Sequence, residues 1–462
     1  MGVVYRFRNA TILLSKKELE DQYVYFSSPE DLNDPNEGLR NIVWKGDKTV
    51  WANFFGHFLW CFQIYHAVLQ LEGQERELTN EDIRVTRVVT NLPDQHGYAH
   101  IDGFSDTVFH DASIDDIVAS IGGRPIRYNE VVQYLKIVHA FALSALEKMF
   151  QDTEALPESE SRTRSSQLLR SILDLNDDLR DRFLGAARGM LDDLKLCERL
   201  RRPAPRTVFE RNAQKLIFDF PESYLDRLNT LLYPKWYIAC FSDDIGNASM
   251  WSHYADKHRG VSLIFTTDDE ESDESIALNC ITGYSSTGAR HRVHRSLVPM
   301  KLHRVEYGTS RAEVDFFRSM GNVPKNELFG LWYTDHQGGV SDLSQDVGKT
   351  RWRNDYWVSF FPDITNKAAD WNYEKERRLV LYGLLGDDLE NEDDRKCTYE
   401  FRTLKGIVFG IRTPDETRER IINILAKKCR VHRRSDLELH QAFYSHLDDR
   451  ISTRRISLPG FS

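Results

Sequence analysis

One stretch constrains the fold more than any other: Tyr237 to Phe265, YIACFSDDIGNASMWSHYADKHRGVSLIF. Tyr237 to Phe241 is a short apolar run bounded by turn residues, the pattern of a buried strand. Ser242, Asp243, Asp244, Gly246 and Asn247 supply turn chemistry and helix-capping side chains. Met250, Trp251, Tyr254 and Ala255 then recur at helical spacing, which puts them on one face of a short helix. Lys257, His258 and Arg259 fall where the helix dipole favours cations, and Gly260 is expected to supply a left-handed stop. Val261 to Phe265 reads as the next strand. Strand, polar turn, short helix and strand in so few residues demand a mixed α+β core.

The N-terminal segment belongs to the same core. Tyr5-Arg6-Phe7-Arg8 alternates apolar and basic residues, so Tyr5 and Phe7 share one face and the arginines the other. Ser15 to Glu18 is a capping box that predicts a short helix, and Tyr23 to Ser27 a second strand. Ser28-Pro29-Glu30-Asp31 is a helix start, stopped by Asn33-Asp34-Pro35, with Glu37 in the same loop. From about Thr49 to Tyr233 the period changes to that of long helices. Val50–Leu71 carries Phe54, Phe55, Phe58 and Phe62 on one side, and Glu130–Phe150 and Ser165–Leu200 carry comparable apolar stripes. Gln151 to Arg164 is polar and reads as a linker. The fold expected is therefore α+β: a mixed, largely antiparallel sheet core interrupted by a large helical insertion. Residues 1–45 form its first part, 46–235 the insertion and 236–430 its second part, with Leu404–Ile411 as a buried strand and a helix from Thr413. Residues 431–462 are expected to hold the end of a C-terminal helix and a loose tail.

Composition excludes several classes. No apolar run approaches the roughly 18 residues of a membrane-spanning helix, and the N-terminus lacks a signal-peptide pattern. Six cysteines stand far apart with no CxxC or Cys/His cluster, as in a reduced cytoplasmic protein without structural zinc. The net charge is −10, so there is no global case for nucleic-acid binding, although Arg199–Arg206 and Lys427–Arg434 are locally basic. No Walker loop, GxGxxG, GxSxG or metal-ligand spacing occurs.

Three segments together resemble one family: Tyr5-Arg6-Phe7 leading to FSSPEDLNDPNEG, Cys240 to Phe265, and DWNYEKERRL from Asp370 to Leu379. They are similar to the bacterial family catalogued as domain of unknown function 2971, with the insertion outside the family pattern. More distantly, the layout is similar to ADP-ribosyltransferases. That resemblance implies an anchoring Arg6, a mid-chain Ser242 or Tyr254, and a catalytic glutamate from the Glu374-Lys375-Glu376 pair. It implies NAD as substrate, a macromolecular acceptor (protein or nucleic acid) or water, no membrane, and a cytoplasmic setting such as a toxin or antiviral defence component.

The residues carry that chemistry only in one of two arrangements. On a strand, Glu374 and Glu376 would point to one face, where paired carboxylates can hold a ribose and stabilise an oxocarbenium-like cation. They could equally form a solvated charge run, or a pair with Arg378 inside the core. Arg6 could clamp a pyrophosphate or pair with Glu37 or Glu376. Trp251 and Tyr254 could stack on a ligand or fill the core. His253 could line the nicotinamide pocket with Tyr254, and His258 reads as a helix-end partner. Two readings follow: an NAD-acting enzyme with Glu376 and Glu374 as catalytic residues and Arg6, Ser242, Trp251, His253 and Tyr254 binding the cofactor; or a non-catalytic binding or sensor protein that uses the insertion as its interaction surface. A metal-dependent nuclease is the nearest further rival.

Overall fold

In a computed structural model, the organising stretch forms the strand Trp236–Ser242, the helix Ala248–Tyr254 and the strand Val261–Thr266. Asn247 caps the helix, its side-chain oxygen accepting from the backbone N–H groups of Ser249 and Met250 at 2.9 and 3.2 Å. The left-handed exit is made by Asp256, Lys257 and His258, with φ of 47°, 52° and 70°, rather than by Gly260. Gly260 is needed for close approach instead: a Cβ built there would lie 2.2 Å from the Arg8 carbonyl oxygen. The structure describes residues 2–34, 36–86, 98–112, 114–150, isolated positions between 182 and 200, 205–270, 273–287, 290–311, 313–335, 337–345, 347, 349–383, 389 and 391–457. The expected linker at 151–164, and all but isolated positions of the expected helix at 165–200, lie outside them.

The chain divides into two units. The first comprises Met1–Leu39, Pro234–Ala312 and Phe361–Ser462. Its main sheet has eight strands in the order His303–Arg304, Glu376–Tyr382, Trp236–Ser242, Val3–Arg8, Val261–Thr266, Leu404–Phe409, Glu438–Ser445 and Arg450–Arg455. Every neighbouring pair is antiparallel except Leu404–Phe409 with Glu438–Ser445. The N-terminal strand thus lies between the two strands of the organising stretch. On one face, Val4, Phe241, Leu263, Phe265, Leu379 and Ile407 enter the larger apolar cluster. On the other, Phe7, Ile264 and Val408 meet Met250, Trp251 and Ala255 of the short helix.

Three expectations at the ends of this unit change. The helix near the N-terminus is Ala10–Ser15, capped by Asn9, so Ser15 closes a helix instead of opening one. Ser28-Pro29 opens only a single 3₁₀ turn, Pro29–Asp31. The expected C-terminal tail contains the strand Arg450–Arg455, which closes the edge of the main sheet against Glu438–Ser445.

The second unit comprises Arg40–Tyr233 and Glu313–Phe360. Lys48–Glu72 is its central helix, burying Trp51, Phe54, Phe55, Phe58 and Phe62. Residues 313–360, expected within the second half of the core, join this unit because Glu313–Asp315 pairs in parallel with Asn41–Trp44. That pairing is long-range and leaves no mark in local sequence. The molecule is α+β with a largely antiparallel sheet and a helical insertion.

Candidate functional site

The site grows from the stretch Ala369 to Arg378. Ala369–Glu374 is a 3₁₀ turn, Lys375 is left-handed with φ 43°, and the strand begins at Glu376. Glu374 and Glu376 therefore do not share a strand face by alternation. Their carboxyls converge because the left-handed kink at Lys375 turns the chain between them. Strand alternation holds only from Glu376 onward, where Glu376 and Arg378 share the face opposite Leu379.

The carboxyls meet in a buried charge cluster. Arg378 is fully buried, and each of its five N–H donors has an acceptor. Its Nε and Nη2 donate to the two oxygens of Glu376, both at 2.9 Å. Its Nη1 and Nη2 donate to the two oxygens of Glu37 at 2.9 and 2.6 Å. The remaining Nη1 proton goes to the Ile364 carbonyl at 2.6 Å. Lys367 Nζ sits 2.7 Å from Glu374, 3.3 Å from Glu376 and 3.4 Å from Glu37, with the Trp371 ring at 4.7 Å. The hydroxyl of Tyr254 donates to Glu374 at 2.5 Å. Backbone order is held from outside: Ser242 Oγ donates to the Glu374 carbonyl at 2.6 Å, and the Glu376 N–H donates to the Tyr307 hydroxyl at 2.7 Å.

Electrostatics separates the two glutamates. Burial pushes the Glu376 carboxyl up, but Arg378 and Lys367 outweigh it and hold the group at about 2. Burial also pushes Glu374 up, and there Lys367 and Tyr254 do not overcome it, with the charge of Glu376 adding to the rise. The Tyr254 hydroxyl is raised by its own burial and by Glu374. Lys367 loses some charge preference to burial and regains more from Glu376 and Glu374, so it is held as a cation. Three carboxylates thus face two cations: Arg378 takes Glu37 and Glu376, Glu374 rests on Lys367 and the Tyr254 hydroxyl, and the cluster as a whole holds one carboxyl more than its cations.

Aromatic side chains surround the buried Glu374. Tyr254, Tyr373 and Trp371 are half-buried and His253 is exposed. His253 Nδ1 lies 3.2 Å from the Tyr373 hydroxyl, and Asn247 Nδ2 donates to the Tyr373 carbonyl at 3.1 Å. The short helix therefore brings His253 and Tyr254 to the same end of the cluster as Glu374.

Of the seven candidate residues, six lie on one face of the sheet, and five of these gather at the charge cluster: Glu374, Glu376, Ser242, His253 and Tyr254. Arg6 does not. It pairs in register with Leu263, so its side chain lies on the opposite face, where Nη2 donates to the Tyr25 carbonyl at 2.8 Å and the guanidinium stands over Phe241. Trp251 is core: it is fully buried, packs edge-on against Phe7 at 5.1 Å, and donates its Nε1–H to the Ile245 carbonyl. Ser242 is fully buried and braces the Glu374 backbone. Arg378 was legible as a buried partner of the glutamate pair, whereas Glu37, expected as a partner of Arg6, meets Arg378 instead. Lys367 and Tyr307 were not legible, because they come together through a two-residue parallel pairing of Glu306–Tyr307 with Asn366–Lys367.

Residues 250–379 match the profile of the family described as protein of unknown function (DUF2971). That span holds the short helix from Met250 onward, Tyr307, Lys367 and both glutamates, and leaves Glu37 and the N-terminal strand outside it. No curated protein and no solved structure matches the chain. The segment with the organising helix and the glutamate pair is similar to a family whose function is not known.

Proposed function

We propose that the chain acts on the glycosidic bond of NAD, by ADP-ribosyl transfer to a macromolecule or by hydrolysis, with Glu374 as the carboxylate that meets the substrate. The observation that carries this reading is the charge count: Glu37, Glu374 and Glu376 against Lys367 and Arg378. A cluster built for stability alone gains little from a buried carboxyl in excess of its cations, whereas perturbed carboxyls gather at functional sites. The nicotinamide ribosyl group is cationic, and positive charge builds at the ribose as the bond breaks. A cation held at Glu374 would complete the cluster and favour the ionised carboxylate. In the step proposed, the bond between ribose C1′ and the nicotinamide nitrogen breaks and nicotinamide leaves neutral with the electron pair. A lone pair from water or an acceptor group closes on C1′, and the nucleophile's proton passes to Glu374. Substrate displaces the Tyr254 hydroxyl from Glu374; His253 and Tyr373 line the approach. Glu376 is a positioning residue, fixed by Arg378. Such an activity suits a toxin or an antiviral defence component.

The test is nicotinamide release from NAD by the purified protein, with and without cell lysate, beside Glu374→Gln. Release that is lost in the variant supports the reading, and dependence on lysate points to a macromolecular acceptor. Absence of release under every condition sinks it. One observation favours the second reading, a binding or sensor protein: Glu374 and Glu376 are only 1% and 4% exposed, and Arg378 takes both Glu376 oxygens. In that case neither glutamate touches a substrate, and no NAD turnover is seen.

A further inference from the structure

The longest hairpin of the first unit, Asp273–Thr287 with Arg290–Lys301, has two different halves. Its near half is part of the core: Ile276, Leu278 and Cys280 are buried, and Val298 and Met300 pack against them. A register shift between Ile281 and Gly283 separates the halves, and such bulges bend and twist a ribbon. Beyond it the ribbon is open. A Cβ built on Gly283 meets nothing, residues 292–297 are all exposed, and among the described residues Arg290–Lys301 pairs only with Asp273–Thr287 along its length.

The open half is also chemically distinct. From Cys280 to Leu297 the sequence, CITGYSSTGARHRVHRSL, contains no acidic residue, in a chain that carries 71. It does contain Arg290, His291, Arg292, His294 and Arg295, with a run of hydroxyl residues. Arg292 is registered opposite Ser285, and His294 Nε2 lies 2.7 Å from Ser285 Oγ, so a guanidinium, an imidazole and a hydroxyl share one face. Among the described residues Arg292 has no ion-pair or hydrogen-bond partner. The other face carries Tyr284 opposite Val293, and Val293 and Leu297 are 42% and 48% exposed. Arg295 is anchored to the Lys396 carbonyl at 3.0 Å and near Asp394, which ties the ribbon's root to the sheet.

We infer that this ribbon is a docking arm for duplex DNA. Arg and hydroxyl side chains are the groups that contact phosphate oxygens, and a two-stranded ribbon fits the major groove, which is about 12 Å wide. Charge complementarity selects the partner: in a net acidic chain this stretch has no acidic residue of its own and presents cations that a polyanion neutralises. The face with the exposed Val293 and Leu297 offers apolar contact to base edges. The inference stands apart from the NAD reading, since binding is measured without turnover.

The experiment is fluorescence anisotropy of a labelled mixed-sequence DNA duplex with the full chain, across a salt series. Its companions are the double variant Arg292→Glu/His294→Glu and the charge-matched control Arg402→Glu/His446→Glu, whose residues are exposed elsewhere. The expected result is binding that weakens with salt, falls about tenfold or more in the ribbon variant with a shallower salt slope, and stays within about twofold in the control. No binding at low salt, equal losses in the two variants, or binding only to single-stranded DNA or to phosphatidylserine vesicles would overturn it.

Discussion

Two buried arginines on opposite faces of the main sheet, Arg378 and Arg6, are treated in opposite ways. On the face that carries the candidate site, Arg378 meets two carboxylates and a carbonyl, and no donor is idle. On the other face, Arg6 has one carbonyl partner and the Phe241 ring, while its Nη1 has no hydrogen-bond partner. Burial and the neighbouring Arg8 lower its ionisation to about 10, whereas Arg378 is raised well above its usual range by Glu376 and Glu37 despite burial. Alternation along a strand brings both arginines inside. Arg378 is neutralised because its position receives the loop at Glu37 and the kink at Lys375; on the other face Arg377 is paired with Asp243 and Glu274, but no acidic segment reaches Arg6. A buried charge becomes an organising centre when distant segments supply its counterions, and remains a local cost when they do not.

The largest expected effect is at Arg378. Arg378→Met strands Glu37 and Glu376 as buried carboxylates beside a single Lys367, and should lower unfolding free energy by about 3–5 kcal/mol in a urea titration. A loss below about 1 kcal/mol would mean that the cluster is solvated and the contrast between the faces is false. Next comes acid. Glu376 is held at about 2 against 4.5 for an unperturbed carboxyl, so its folded value is depressed. Its contribution is present above the unfolded value and lost as pH falls toward 2, worth about 3 kcal/mol in all. Glu374 has the opposite sign: its raised value gives a contribution present below the unfolded value and lost as pH rises through the folded one. Stability followed by urea titration from pH 7 to pH 2 should therefore fall much less steeply in Glu376→Gln than in the wild type. Equal slopes would contradict the assigned ion pair. The smallest effect is at Arg6. Arg6→Met exchanges a poorly matched cation for an apolar chain and should change stability by no more than about 1 kcal/mol. A loss as large as that of Arg378→Met would show that Arg6 has a counterion the geometry does not provide.

Much of this was legible in the sequence, and the failures share a cause. The strands at Tyr237 and Val261, the helix between them and the long helix over Val50–Leu71 declare themselves by period and capping, which are local properties. Tyr254 and Glu374 could be singled out as chemistry-bearing types. Their meeting depends on Lys375 adopting a left-handed conformation, which glycine would have advertised and lysine does not. Arg6 was misplaced although its alternation was read correctly, because alternation assigns opposite faces without saying which face carries the site. Lys367 left no signal at all, since a two-residue parallel pairing sets its position. The strand Arg450–Arg455 was hidden for a different reason: its run of polar and basic residues resembles a solvated tail, as an edge strand's sequence often does.

The most direct test is the thermal and urea unfolding of Glu374→Gln beside Glu376→Gln at neutral pH. These residues are two positions apart and equally buried, so composition and location do not distinguish them. The expected result is a loss of about 3 kcal/mol for Glu376→Gln, which removes the partner of Arg378, and a change within about 1 kcal/mol for Glu374→Gln, which removes the surplus charge. Equal losses, or a larger loss for Glu374→Gln, would show that both carboxyls are structural and that no carboxyl in the cluster is left over for a ligand.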